Sequence, residues 1–237
     1  GNKVYIKQGD YTLGEALTTV VGAKDYPIIF RGYKTTRDEI CLGTDRPLIN
    51  SAYIFTLNAY SKIENIRFIG TGHVFLSVAY ALIYNCQLLC TGTTCALRLV
   101  SGTYAIKCEV SDPKMVGILS ASGMVIDCNV HHCLNGIRAT SGINIYSTVV
   151  SQCNTYAIGL ESTNNKIIGC TLIGSSTPIG TGVSIGVQYS NCILNNIIYG
   201  FVVGLDCTEV DYTSFVDGNN FYNNSIDSTN LTLSPSN

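Results

Sequence analysis

From residue 50 onward the chain is written in short alternating phrases. "NIRF" at Asn65, "NCQL" at Asn85, "KCEV" at Lys107, "DCNV" at Asp127, "YSTV" at Tyr146, "GCTL" at Gly169 and "LNNI" at Leu194 share one pattern. Each reads outward residue, small or apolar residue, polar residue, apolar residue. The second positions are Ile66, Cys86, Cys108, Cys128, Ser147, Cys170 and Asn195, spaced 19 to 25 residues apart. A second series begins at Ala96, Gly117, Gly136, Ala157, Gly182 and Gly200, at intervals of 18 to 25 residues. Alternation of this kind, broken by Gly, Ser, Thr and Asn, predicts short half-buried strands. Helical spacing is absent from residue 50 onward.

A period near 20 residues with short strands and no helix predicts a solenoid. A leucine-rich repeat needs a recurrent Leu frame that this chain lacks, which leaves a parallel β-helix. In that fold each turn of chain is one coil and neighbouring coils sit about 4.8 Å apart. Nine or ten coils make a rod of about 45 Å. The Cys86, Cys108, Cys128, Ser147, Cys170 and Asn195 positions then form one internal ladder, and Cys133 and Cys153 a shorter one. Gly136 and Gly142 are expected at turns, with Cys128, Val130, Ile137 and Ala139 lining the core.

The coil pattern, the "NNFYNN" run at Asn219–Asn224 and the segment "YPIIFRGYKTTRDE" at Tyr26–Glu39 resemble the right-handed parallel β-helix superfamily. That superfamily includes pectate lyases and phage tailspikes, and the resemblance covers about residues 28 to 225. It implies an all-β, right-handed solenoid. The likeness to tailspikes implies homotrimers whose apolar rod faces meet. Pectate lyases as a family gather aspartates for calcium beside an Arg base, and polygalacturonase-like members use several close aspartates. This chain has no dense Asp cluster on successive coils and no "DD" pair. Function on such a fold is grafted onto it.

The ends differ from the middle. "KVYIKQGDYTL" alternates and then turns at Gly9-Asp10. "TLGE" at Thr12–Glu15 fits a capping box ahead of Ala16, Leu17, Val20 and Val21. A short helix is expected there, covering the open edge of the first coil. The division expected is an N-terminal strand and cap over 1–25, a β-helix over 26–225 and a polar tail over 226–237, lying along the rod or crossing to a partner chain. The chain starts at Gly1 with no signal-peptide pattern, which reads as a processed or partial chain.

Composition narrows the partners. Charged residues make up 13% and the net charge is −2, so no basic stripe points to nucleic acid. No apolar run approaches the ~20 residues of a membrane span. The cysteine count, 11, is odd. In a chain long enough for its own core, buried thiols made in a reducing cytoplasm are expected rather than a disulfide framework. Cys90 and Cys95 are the pair expected to bridge if the compartment oxidises.

Candidate chemistry is sparse. "MVIDCNVHHCLNGIRATSG", Met124–Gly142, holds two cysteines and two histidines, but zinc needs three or four ligands at recognisable spacing. His131 and His132 are therefore read as turn residues beside core thiols, with no metal or cofactor expected. Lys107 and Asp127 should pair across adjacent coils. Arg98 and Arg138 share an outward column, with Glu161 diagonal to Arg138, so Arg98, Arg138, Glu161, His131 and His132 are the candidate contacts to a partner or glycan. Asp206, Glu209 and Asp211, with Asp217 nearby, are the acidic group that a glycosidase would need. The sequons at Asn223 and Asn230 matter only in a eukaryotic secretory route.

These readings converge on a non-catalytic structural or adhesive module. The first expectation is a virion component (phage spike, fibre or capsid-surface protein) assembled in a host cytoplasm as a homotrimer with other virion proteins. The alternative is a polysaccharide lyase or glycosidase on the same fold, and a third is a secreted or cell-surface adhesin.

Overall fold

The computed structural model describes residues 2–19, 21–71, 75–77 (backbone), 79–92, 94–112, 114–175, 179–186, 190–208 and 214–230. Its strands form three parallel sheets of ten strands each, and from the fourth on each strand pairs with the one three strands earlier. One coil shows the plan: Gly123–Ile126 lies in sheet A, Asn129–His131 in sheet B and Asn135–Ala139 in sheet C. The protein is an all-β parallel solenoid of about nine turns. Among the described residues its helical content is one 3-10 turn, Gly43–Asp45.

Inward columns carry the core. In sheet A, Ile63, Ile83, Ala105, Val125, Ile145, Ile167 and Ile193 are all fully buried, and each stands in register on the next. Successive residues of a strand point to opposite faces, so the residues between them face out.

The corner from sheet A to sheet B takes two residues. The first is left-handed in coil after coil: Asn65, Asn85, Lys107, Asp127, Ser147, Gly169, Asn195 and Gly218 have φ between 48° and 65°. The second turns inward, and that column runs Ile66, Cys86, Cys108, Cys128, Thr148, Cys170, Asn196 and Asn219. Ser147 and Asn195 are therefore outward corner residues, and Thr148 and Asn196 are the ladder members. Both errors fall at polar pairs, Ser-Thr-Val and Asn-Asn-Ile, where polarity does not say which residue turns in. A slip of one residue exchanges the faces.

The ladder is small and polar for a reason. From Cys108 on, its Cys, Thr and Asn side chains reach back to the preceding coil and satisfy backbone groups that the corner leaves unpaired. The Cys128 sulfur accepts the Cys108 N–H at 3.4 Å, Thr148 Oγ1 that of Cys128 at 3.3 Å, and Asn196 Oδ1 that of Cys170 at 2.8 Å. In the other direction, the Cys108 and Cys128 thiols lie 3.5 and 3.4 Å from the carbonyls of Ile83 and Ala105. Asn196 and Asn219 donate at 3.0 and 2.9 Å to those of Ile167 and Ile193. Thiol, hydroxyl and amide are interchangeable here because each both donates and accepts.

Four further expectations are corrected. No helix forms at the capping box: Asp10–Leu13 and Leu17–Thr18 are strands of the first coil, paired with the next one. In that coil Val4, Tyr11 and Leu17 are 40–43% exposed, while Ile6 and Leu13 pack partly buried against the core. At the other end Ile226–Thr229 is the last strand of sheet C rather than tail; residues 231–237 lie outside the described residues. Gly136 is not a turn residue. It sits inside its strand, opposite Ala157, between the pairs Asn135–Tyr156 and Ile137–Ile158. A Cβ there would meet the Ala157 oxygen at 2.4 Å and Val150 Cγ1 at 2.5 Å. The last member of that series is Gly204, not Gly200, since Thr181 and Val183 pair with Val203 and Leu205.

Candidate functional site

Ten of the eleven cysteines are buried, Cys192 is half-buried, and no disulfide forms among the described residues. Cys90 and Cys95 both lie in the core as thiols. Burial pushes the thiols of Cys86 and Cys95 up to about 12 and those of Cys90 and Cys170 up to about 11. A nucleophilic thiol needs the opposite environment, exposed and electropositive.

The outer face of sheet B carries a polar chain across four coils. Arg67 Nε donates to Gln87 Oε1 at 2.7 Å, and Gln87 Nε2 donates to Glu109 Oε2 at 2.9 Å. The other Glu109 oxygen lies 3.2 Å from His131 Nε2, and His131 Nδ1 lies 2.8 Å from His132 Nδ1. His131 ends the strand Asn129–His131, whereas His132 occupies the next corner with φ 53°. Arg67, Gln87 and Glu109 were not singled out in the sequence. Yet they are the third residues of "NIRF", "NCQL" and "KCEV", so reading the repeat downward finds all three. What the sequence does not show is that Glu109 reaches the histidines, 22 residues away.

His132 also lines a groove of about 480 Å3 at the B-to-C corner, with Gln152, Asn154, Gly174, Ser175 and Ile179. Gln152 repeats the left-handed corner of His132, at φ 54°.

The other candidates are scattered. Arg138 grips Glu161 on sheet C through Nε and Nη2, at 2.7 and 3.0 Å. Gly159 pairs with Arg138 on the neighbouring strand, two residues before Glu161. Arg98 lies in the same column but two coils away, with Leu119 between. Lys107 and Asp127 approach to 4.0 Å as exposed corner residues. Asp206 is in sheet C, where the Thr229 hydroxyl donates to it, and Asp217 is in sheet A. Glu209 and Asp211 lie outside the described residues. Among the described residues no three His, Cys, Asp or Glu side chains gather as a cation site, and no helix is long and apolar enough to cross a membrane.

The outer face of sheet A is of another kind. One outward column reads Tyr84, Ile106, Ile126, Tyr146, Ile168 and Leu194 on six successive coils, each partly exposed. Beside it run Leu82, Tyr104 and Met124. The column ends at charges: Glu64, paired with Arg31 and Lys62, on one side and Asp217 on the other. At ~4.8 Å per coil the apolar column is about 24 Å long.

No family model matches the chain, and no curated protein matches its sequence. One solved structure it is similar to is "Geobacillus virus E2 - ORF18", with a TM-score of 0.48 and 12% identity. The match covers 98% of this chain and 53% of that one, so the chain spans about half that structure's length.

Proposed function

We propose that the protein is a non-catalytic structural module, a stiff solenoid rod that joins copies of itself through the outer face of sheet A. The apolar column from Tyr84 to Leu194 carries this reading. Six coils expose aliphatic and aromatic side chains where a solvent-facing column would carry Ser, Thr or charge. Contiguous apolar surface of this kind on a soluble rod marks an interface. An apolar column that runs along the coils meets its own copies when the rods stand side by side. Three rods with sheet A turned to a common axis bury it completely, and the proposed state is a trimer. The proposal extends to a place in a virion, as a spike, fibre or capsid-surface part. That extension, with membership of the right-handed β-helix superfamily, rests on the likeness of the repeat to tailspike coils. A low-charge, Ser/Thr/Asn-rich surface and a thiol-filled core fit a part assembled in a reducing cytoplasm.

Analytical ultracentrifugation of the full chain at micromolar concentration tests it. The expected mass is that of a trimer, and Ile126→Glu with Ile168→Glu should give a monomer with an unchanged circular dichroism spectrum. A monomeric wild-type chain overturns the reading.

A further inference from the structure

The apolar stripe of sheet A is small for an interface. Its strands run three or four residues, so the stripe is about 24 Å long and about 10–13 Å wide, roughly 300 Å2 in outline at most. A stable contact takes about 800 Å2 from each copy. The stripe also starts only at the fourth coil. The first three coils show Tyr5, Arg31 and Glu64 in the same column. Copies of this rod therefore need a second contact, and exposed apolar side chains lie at the two corners that flank the charged end.

The corner from sheet A to sheet B is a strap in the second coil, residues 34–47, between the strands Ile28–Tyr33 and Leu48–Ser51. Its Cys41 and Arg46 are buried. Asn65 Nδ2 donates to the Glu39 carbonyl at 3.4 Å and Asn85 Nδ2 to the Cys41 carbonyl at 3.1 Å, while Arg46 Nη2 donates to Asn85 Oδ1 at 2.7 Å. The strap is thus pinned across the corners of the third and fourth coils. Ile40 and Leu42, on either side of buried Cys41, are held out at 76% and 65% exposure. The corner from sheet C to sheet A shows Tyr26 and Tyr80, at 71% and 59%. Tyr60 enters the third coil and Tyr80 the fourth, both with left-handed backbones, and their rings stack at 5.3 Å and 3°. Gly102 follows in that column, where a Cβ would meet Tyr80 Cδ1 at 2.8 Å, so a bare glycine leaves room for the ring.

We infer that the strap of one copy docks on the tyrosine corner of the next, with Ile40 and Leu42 against the stacked rings of Tyr60 and Tyr80. This contact rests on the assembly proposed above and adds the part of the interface that the stripe lacks. With sheet A turned to a common axis, one flanking corner of each rod faces the other flanking corner of its neighbour. A heterologous contact of that kind closes into a ring. Rotation about an axis parallel to the rods leaves every residue at its own height, so each corner meets what lies on the same coils of the next copy. The strap crosses the third and fourth coils, and Tyr60 and Tyr80 enter those same two coils. An aromatic side chain buries about 150–250 Å2 when fully covered, so two rings and two aliphatic side chains supply area of the size required.

Photo-crosslinking of the full chain tests the contact. Protein carrying Leu42→benzoylphenylalanine is assembled from unlabelled and 15N-labelled copies, irradiated, digested and read by mass spectrometry. Links between copies are expected, from the strap to the peptide that holds Tyr60 or Tyr80. In ultracentrifugation, Ile40→Lys with Leu42→Lys should weaken assembly about tenfold or more, as should Tyr80→Asn, a residue that tolerates the left-handed corner. Tyr222→Asn, which changes a tyrosine 66% exposed on sheet B, should leave assembly unchanged. A trimer whose strap links to another strap, or to a different face, overturns this contact and leaves the sheet A reading standing. So does a trimer that Ile126→Glu with Ile168→Glu dissociates but the strap and Tyr80 variants do not weaken. A monomeric wild-type chain overturns both.

Discussion

The outer faces of sheets A and B are built on the same coils, over the same core, by the same alternation of residues. Sheet A shows Ile106, Ile126 and Tyr146 to the outside. The matching coils of sheet B show Glu109, Asn129 and Val149. Beneath both, the inward residues hardly vary: Ala105, Val125 and Ile145 under one, Val110, Val130 and Val150 under the other, all fully buried. The inward columns are constrained by stacking, because each side chain must fit the coil above and the coil below. The outward columns are free of that demand, and the proposed function rests on their departures from a plain polar surface.

If that division is right, inward and outward changes should separate cleanly. The largest effect is expected from Ile145→Ala, which empties a fully buried site between two coils and should cost about 2–5 kcal/mol in chemical denaturation. The outward Ile168→Ala, one coil on, should cost under about 1 kcal/mol in an isolated monomer. Its effect should grow with protein concentration if sheet A is an interface. Equal losses for the two at low concentration would break the comparison.

A buried and an exposed acid sharpen it. Asp112 is fully buried, and its Oδ1 accepts the N–H groups of Lys114 and Met115. Burial holds its carboxyl above the usual range. The folded chain therefore keeps this proton more tightly than the unfolded chain. The favourable contribution is complete below the unfolded value of about 3.9 and is lost as pH rises through the folded one. Thermal melts from pH 4 upward should show Asp112→Asn gaining on the wild type as pH rises. A difference independent of pH would mean that Asp112 carries no raised pKa.

The smallest effect is expected from the exposed pair Arg138–Glu161, whose side chains are 41% and 44% accessible. A double-mutant cycle with Arg138→Ala and Glu161→Ala should give about 0.2–1 kcal/mol, falling with salt. A larger coupling would mean that this outward pair is part of the frame.

How far the sequence could be read follows the same division. Cys86, Cys108 and Cys128 announced their column because an identical residue returned once per coil. Ser147 was misplaced because its neighbour Thr148 is as small and polar, and only pairing of Asn129 with Val149 decides which turns in. The capping box at Thr12 was legible as a helix start in isolation. In the fold, the backbone groups of Asp10–Leu13 find partners on Leu48–Ser51, and pairing along four residues outweighs a local cap. His131 and His132 were seen, but as loose turn residues, since Glu109 becomes the neighbour of His131 only through coil register.

By itself, then, the sequence determined the period of the coil, the alternation that makes sheets, and the apolar and thiol lining of the core. These are repeated demands, and repetition leaves a pattern in one dimension. The tertiary structure alone decided which residue at each corner turns inward, which side chains on different coils touch, and that six apolar residues about twenty positions apart align as one stripe. Those depend on the number of residues spent at each corner. One residue more or less moves a side chain to the other face of the sheet.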